Sequence, residues 1–145
     1  RLELEITETA MMSDPETAGE VVNELRSFGI RISLDDFGTG QSSLGRLRDF
    51  AFDKVKIDRS FVNEITVDRS SETIVKAILA MCDGLDLKVI AEGIETPEQA
   101  AKLLELGCRA GQGYLFGKAV NSETTYALIK SEREAQSRQE RELRA

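Results

Sequence analysis

The sequence predicts an α/β fold, a partial TIM-like (β/α) barrel built from about five β/α units. Three observations predict it. Short apolar-alternating runs are separated by segments with helical spacing of apolar residues. Each pair of runs is joined by enough chain for a crossover helix, which makes neighbouring strands parallel. The units fall short of the eight that close a barrel, and the chain opens inside a strand-like run, so the expectation is a piece of a larger barrel whose first units precede it. In order, Leu2 to Thr7 alternates as a strand does. Asp14-Pro15 reads as a cap followed by proline in a first helical turn, and Ala18, Val21, Val22, Leu25 and Phe28 share one face that Gly29 ends. Ile30 to Leu34 is a second strand, and a short helix around Ser43 to Asp49 leads to a third at Phe52 to Ile57. Glu72 to Asp83 is a helix carrying Ile74, Ala77, Ile78 and Met81, and Leu87 to Ala91 a fourth strand. Thr96-Pro97-Glu98-Gln99 is a capping box opening a helix that Gly107 closes. Cys108 to Gly113 is a fifth strand, and a helix starts near Ser122. The expected division is a folded part over 1–129 and a charged tail over 130–145, either a solvated helix or disordered.

Bulk chemistry excludes several classes of function. The 145 residues suffice for one core, and 41% hydrophobic with 31% charged residues is ordinary for a globular protein. A net charge of −7 without any histidine argues against passive binding to DNA or to anionic lipid, so a phosphate ligand would need a cation beside it. Cys82 and Cys108 read as reduced core thiols, and Phe37, Phe50, Phe52 and Phe61 as core. No apolar run is long enough to span a membrane, so the expected setting is the cytoplasm, or the cytoplasmic part of a larger membrane-anchored protein, with no direct membrane contact by this segment.

Side-chain parity then places the chemistry. Successive strand residues face opposite sides of a sheet. Leu2, Leu4 and Ile6 oppose Glu3, Glu5 and Thr7; Ile32 and Leu34 oppose Ser33 and Asp35; Val55 and Ile57 oppose Lys54 and Lys56; Val89 and Ala91 oppose Ile90 and Glu92. With helices covering the apolar face, Glu5, Asp35, Lys56 and Glu92 converge at the carboxyl ends of the strands, where barrel enzymes build their sites. Asp36 stands beside them. Carboxylates gathered without histidine or paired cysteines select a hard divalent cation, Mg²⁺ or Mn²⁺. Adjacent Asp35 and Asp36 would repel unless cations bind there, and they can be shared between two ions. Two such ions about 4 Å apart suit hydrolysis of a phosphate ester. Gly38 and Gly40 let the next stretch turn tightly. Each feature has a plain alternative: a capped turn at Asp35-Asp36, an exposed edge lysine at Lys56, an arginine partner at Glu92. Together those alternatives require four strands to align their polar ends by accident.

Glu5-Ile6-Thr7-Glu8, Asp35-Asp36-Phe37-Gly38-Thr39-Gly40, Lys56-Ile57-Asp58, Ala91-Glu92-Gly93-Ile94-Glu95 and Gln112-Gly113-Tyr114 resemble, in order and spacing, the signatures of EAL domains over roughly residues 2–120. That family comprises bacterial phosphodiesterases that linearise cyclic di-GMP to pGpG with Mg²⁺ or Mn²⁺. The resemblance implies that Glu5 and Asp35 bind a first metal and Asp36 a second. It implies that Lys56 orients the attacking water, that Glu92 acts near it as a ligand of metal-bound water or as general base, and that Gln112 positions the network. Glu8 and Glu95 would be the pair fixing the glycine-rich loop, with Gly38, Gly40 and Asp58 serving loop and substrate. A homodimer through the region after Gly40 and upstream sensor or cyclase domains are further implications.

The Glu-Ala-Leu motif itself is absent from the 145 residues, as are an asparagine ligand and a phosphate-binding arginine, which lie upstream of Glu5 in the family. The expectation is therefore a stretch of a longer protein. Gln41 stands where an aromatic is common, and Gly117-Lys118-Ala119 where serine, a basic residue and proline are usual; neither departure touches a metal ligand. Two competing functions stay open at this point. One is an inactive EAL-type receptor or scaffold for cyclic di-GMP, which loss of an upstream ligand would favour. The other is an enolase-type enzyme with one Mg²⁺ and a lysine base, which the adjacent aspartates fit less well.

Overall fold

The computed structural model describes residues 2–40 and 50–142. Among these, the elements are β1 (Glu3–Thr7), α1 (Glu8–Ser13), α2 (Pro15–Ser27), β2 (Arg31–Phe37), β3 (Lys54–Ile57), α3 (Arg59–Glu64), α4 (Arg69–Gly84), β4 (Lys88–Ala91), α5 (Pro97–Glu105) and α6 (Ser122–Glu142). The four strands form one parallel sheet in sequential order, β1-β2-β3-β4. The helix expected around Ser43 to Asp49 lies outside the described residues, as does Gln41.

Local chemistry explains most boundaries. Asp14 Oδ1 accepts the Thr17 N–H at 3.2 Å, with Pro15 at the first helical position, and Gly29 with φ of 78° lets the chain leave α2 for β2. Thr96 and Gln99 form a reciprocal capping box on α5. Asp68 starts α4 by accepting the N–H groups of Ser70 and Ser71, so this helix begins earlier than the apolar spacing suggested.

Several expectations are corrected. Helices α1 and α3 follow directly on strand ends, too short to show an apolar period; Thr7 and Asp58 cap them. The buried stripe of α4 is Ser71, Val75, Ile78 and Cys82 rather than the face through Ile74, which is exposed. On α2 Val22 is buried, while Val21 and Phe28 face solvent. The fifth strand reduces to a single parallel bridge between Ala91 and Gly111. Helix α6 runs unbroken through residues 129 and 130.

The core sits between the sheet and its helices. Ile32, Leu34, Phe37, Val55, Ile57 and Ala91 are buried with Val22, Val75, Ile78 and Leu103. Phe50 stacks on Phe52 with ring centroids 5.8 Å apart. Cys82 and Cys108 are free and buried, and burial pushes the Cys82 thiol up to about 11. The apolar face of β1 is less covered than parity suggested, with Leu2 and Leu4 exposed. Among the described residues no helix is long and apolar enough to cross a membrane.

Strand β2 contains one irregularity that positions the site. Leu34 pairs with Val55 but Phe37 pairs with Ile57, so β2 spends one more residue than β3 over the same step. The extra residue is accommodated at Asp35-Asp36, where Asp36 has φ of 55°. This is a bulge, and it keeps Phe37 on the core face with Leu34. Aspartate is among the few residues that adopt this backbone region at modest cost.

Candidate functional site

Glu5, Asp35 and Glu92 come from three strand ends and meet on one lysine. Lys56 is only 4% exposed. Its Nζ lies 2.7 Å from Glu5 Oε1, 3.0 Å from Asp35 Oδ1 and 2.7 Å from Glu92 Oε1. Burial alone would push the ammonium down, but the hydrogen bonds to Glu5, Glu92 and Asp35 outweigh it and hold Lys56 well above its ordinary value. The lysine stays charged.

Gln112 reaches the same carboxylate, its Nε2 donating to Glu92 Oε1 at 2.6 Å. The bridge to β4 makes this contact: the Ala91 N–H donates to Ala110 O, and the Gln112 N–H donates to Ala91 O at 2.8 Å. Gly113 then packs against the backbone of Ile94, where a side chain would collide with Ile94 O at 2.1 Å. Only glycine allows that approach.

The bulge brings Asp36 to the cluster. One carboxylate oxygen from each of Asp35, Asp36 and Glu92 lies within 4.8 Å of the others. Desolvation raises the Asp36 carboxyl above its ordinary value, and the charges of Asp35 and Asp58 push it the same way. Burial likewise raises Glu92; Lys56 opposes the rise, while Asp35 and Glu5 reinforce it. Such a crowd of hard oxygen donors, with Asp36 and Glu92 left more basic than free carboxylates, fits a divalent cation.

Behind Asp36 lies a second arrangement. Glu8, 1% exposed at the start of α1, accepts the Gly38 N–H at 3.0 Å through Oε2. A Cβ on Gly40 would stand 2.5 Å from Glu8 Oε1, so the glycine loop rests directly on this carboxylate. Gly38 has φ of 98°. Asp58 caps α3 by accepting the Ser60 N–H at 2.9 Å; burial opposes but the bonds from Ser60 prevail, and its carboxyl is held below the ordinary value. Glu95 is exposed, and its carboxylate has no partner among the described residues, so the structure joins Glu8 to the loop and leaves Glu95 on the cleft wall.

That cleft, about 1070 Å³, runs from Asp36 and Thr39 past Glu92 and Gln112 to Tyr114. It also takes in Arg59, Ser60 and Asn63, to which the sequence assigned nothing. The available signal was their position just beyond Asp58, at the carboxyl end of β3. A Cβ on Gly93 would meet Arg59 Cβ at 2.6 Å, so the β4 turn and α3 close one side of the cleft together.

With this geometry established, comparison with known proteins is specific. The model of the EAL domain matches residues 1–119. The cyclic di-GMP phosphodiesterase NbdA of Pseudomonas aeruginosa is 47% identical over 117 residues, covering 81% of this chain and 15% of NbdA. The PaMucR phosphodiesterase in complex with c-di-GMP superposes with a TM-score of 0.82 at 42% identity, over 86% of this chain and 50% of that one. Klebsiella pneumoniae BlrP1, as a manganese and cy-diGMP complex, matches with a TM-score of 0.74 at 35% identity, over 78% of this chain and 29% of that chain. The chain thus spans well under a third of the NbdA length and half of the PaMucR structure. Family match, fold and the run of motifs along the strand ends agree: this chain belongs to the EAL domain family.

Proposed function

We propose that this chain contributes most of the site of a phosphodiesterase that hydrolyses cyclic di-GMP to linear pGpG. The observation that carries the reading is Lys56, buried and held at once by Glu5, Asp35 and Glu92 beside the close triple of Asp35, Asp36 and Glu92. The relatives named for this activity, and the neighbours solved with the dinucleotide, support the substrate.

Glu5, Asp35 and Asp36 would hold the divalent ions, and all-oxygen donors favour Mg²⁺ or Mn²⁺. Bound there, the ions would supply positive charge to the phosphate and lower the pKa of water. The chain's own groups do the rest. Lys56 donates to the attacking water and aligns it on phosphorus, in line with the sugar 3′-oxygen that leaves. Glu92, made more basic by burial, accepts the water's proton. Gln112 fixes the Glu92 carboxylate from the solvent side. Glu8 holds the Gly38–Gly40 loop, and with it the Asp36 backbone, in place. Glu95 serves the same loop from the cleft wall, and Asp58 positions the cleft side of α3.

The same reading places residues 1–129 in the EAL domain and 130–145 in a charged extension, in a cytoplasmic setting. It also places a homodimer contact in the region after Gly40, which lies outside the described residues; sedimentation of the ligand-bound protein as a monomer at high concentration would remove that contact. The activity itself is tested by product analysis of the full-length protein. Conversion of cyclic di-GMP to pGpG should stop with EDTA and return with Mn²⁺. Binding of the dinucleotide without turnover would make the protein a receptor instead.

A further inference from the structure

We propose that Ser33 is a positioning residue of the carboxylate cluster, its hydroxyl serving as the hydrogen-bond donor that steadies Glu5 and Asp35 when they hold a cation. The inference rests on the metal-dependent reading above. Ser33 is 0% exposed, and its Oγ is a buried side-chain oxygen with no hydrogen-bond partner among the described residues. It lies on the inner face of β2 with Asp35 two residues further along, beside Glu5 on β1 and Lys54 on β3.

A buried hydroxyl without a partner is destabilising, and alanine at this position would avoid that cost with nearly the same volume. Packing therefore does not account for a serine. Its surroundings do. Beside it on β3, Lys54 is committed to Glu3 at 2.5 Å. Beside it on β1 and two residues along β2, Glu5 and Asp35 both accept from Lys56. Carboxylates accept only, so when a cation takes the oxygens now facing Lys56, each acid needs a new donor to hold its orientation. Neighbouring strands run about 4.8 Å apart, which puts the Ser33 hydroxyl within reach of Glu5, its register partner on β1, and one bridging water extends that reach to Asp35 two residues along β2. Serine can donate one proton and accept elsewhere, which suits this position between two ion-paired layers.

The test is Mn²⁺ binding to the full-length protein, followed by electron paramagnetic resonance, for wild type, Ser33→Ala, Ser33→Cys and Ser33→Thr. Ser33→Ala and Ser33→Cys should bind Mn²⁺ about 10-fold more weakly, the lower end of what loss of an outer hydrogen bond costs a metal site. Their thermal midpoints without metal should equal or exceed wild type, because an unpaired polar group has been removed, and Ser33→Thr should restore binding. Wild-type affinity in Ser33→Ala would overturn the proposal. So would recovery in Ser33→Cys, which fills the volume without a strong donor, or weaker binding that merely follows a fallen thermal midpoint. A wild-type protein that binds no Mn²⁺ would instead remove the metal reading itself, an outcome separate from equal binding by wild type and Ser33→Ala.

Discussion

The two ends of the same sheet treat charge in opposite ways. At the amino end, Lys54 pairs with Glu3 and Arg26 with Asp53, while Asp53 also accepts the Ile32 N–H. Arg31, Lys88 and Asp86 stand near them, so four cations face three carboxylates and the charges are close to matched. At the carboxyl end a single ammonium, Lys56, serves Glu5, Asp35 and Glu92, with Asp36 close by. Backbone cost does not follow this division, since Asp36 at the carboxyl end and Asp86 at the amino end are both held at positive φ. The contrast teaches that an ion pair on an inner strand face is structural when its charges balance, and poised for a ligand when they do not.

Breaking the unbalanced end at its centre should have the largest effect. Lys56→Ala removes the donor to three acids, and kcat for cyclic di-GMP should fall about 1,000-fold, measured by pGpG formation in saturating Mn²⁺. Asp36→Asn keeps a residue that tolerates the left-handed backbone while removing a charged oxygen. It should lower Mn²⁺ affinity and turnover roughly 100-fold, the fold remaining intact by circular dichroism. Gly40→Ala drives a methyl group into the Glu8 carboxylate and should reduce kcat about 10-fold by displacing the loop, with KM changing less.

A pH titration sharpens the comparison further. Asp36 and Glu92 have carboxyls raised in the folded protein, so the native state binds more protons than the unfolded chain between the ordinary carboxylate pKa and the raised one. In EDTA, stability should therefore fall as pH rises through that window, and Glu92→Gln should flatten the slope when thermal midpoints are followed across it. Mn²⁺ should restore stability above the window. The smallest effect belongs to the balanced end. Lys54→Met should change turnover by less than about twofold and stability by about 1 kcal/mol or less, as expected of a partly exposed pair. A large loss of activity in Lys54→Met would erase the distinction between the two ends.

Much of this was legible in the sequence. Alternation of apolar and polar residues located the strands, and parity put Glu5, Asp35, Lys56 and Glu92 on one face because a period of two leaves no other choice. Asp14, Thr96 and Gly29 announced helix ends by their own side-chain or backbone chemistry. What the sequence left out has physical causes. The stripe on α4 shifted because Ile74 and Val75 are equally apolar, and only the angle at which the helix meets the sheet selects between them. The fifth strand shrank to one bridge because residues 110–115 turn around Ile94 instead of extending along β4.

The sequence by itself determined the strand-helix alternation, the polar strand ends and the acidic, histidine-free chemistry of the site. Only the tertiary structure decided how those groups meet. The bulge at Asp35-Asp36 turns two adjacent residues toward one cluster, and the single bridge at Gly111 delivers Gln112 to Glu92. Burial of Ser33 and Lys56 is likewise a property of the assembled sheet. Local pattern fixes which face a side chain takes, but distance, desolvation and shared partners arise only when separate strands are brought together.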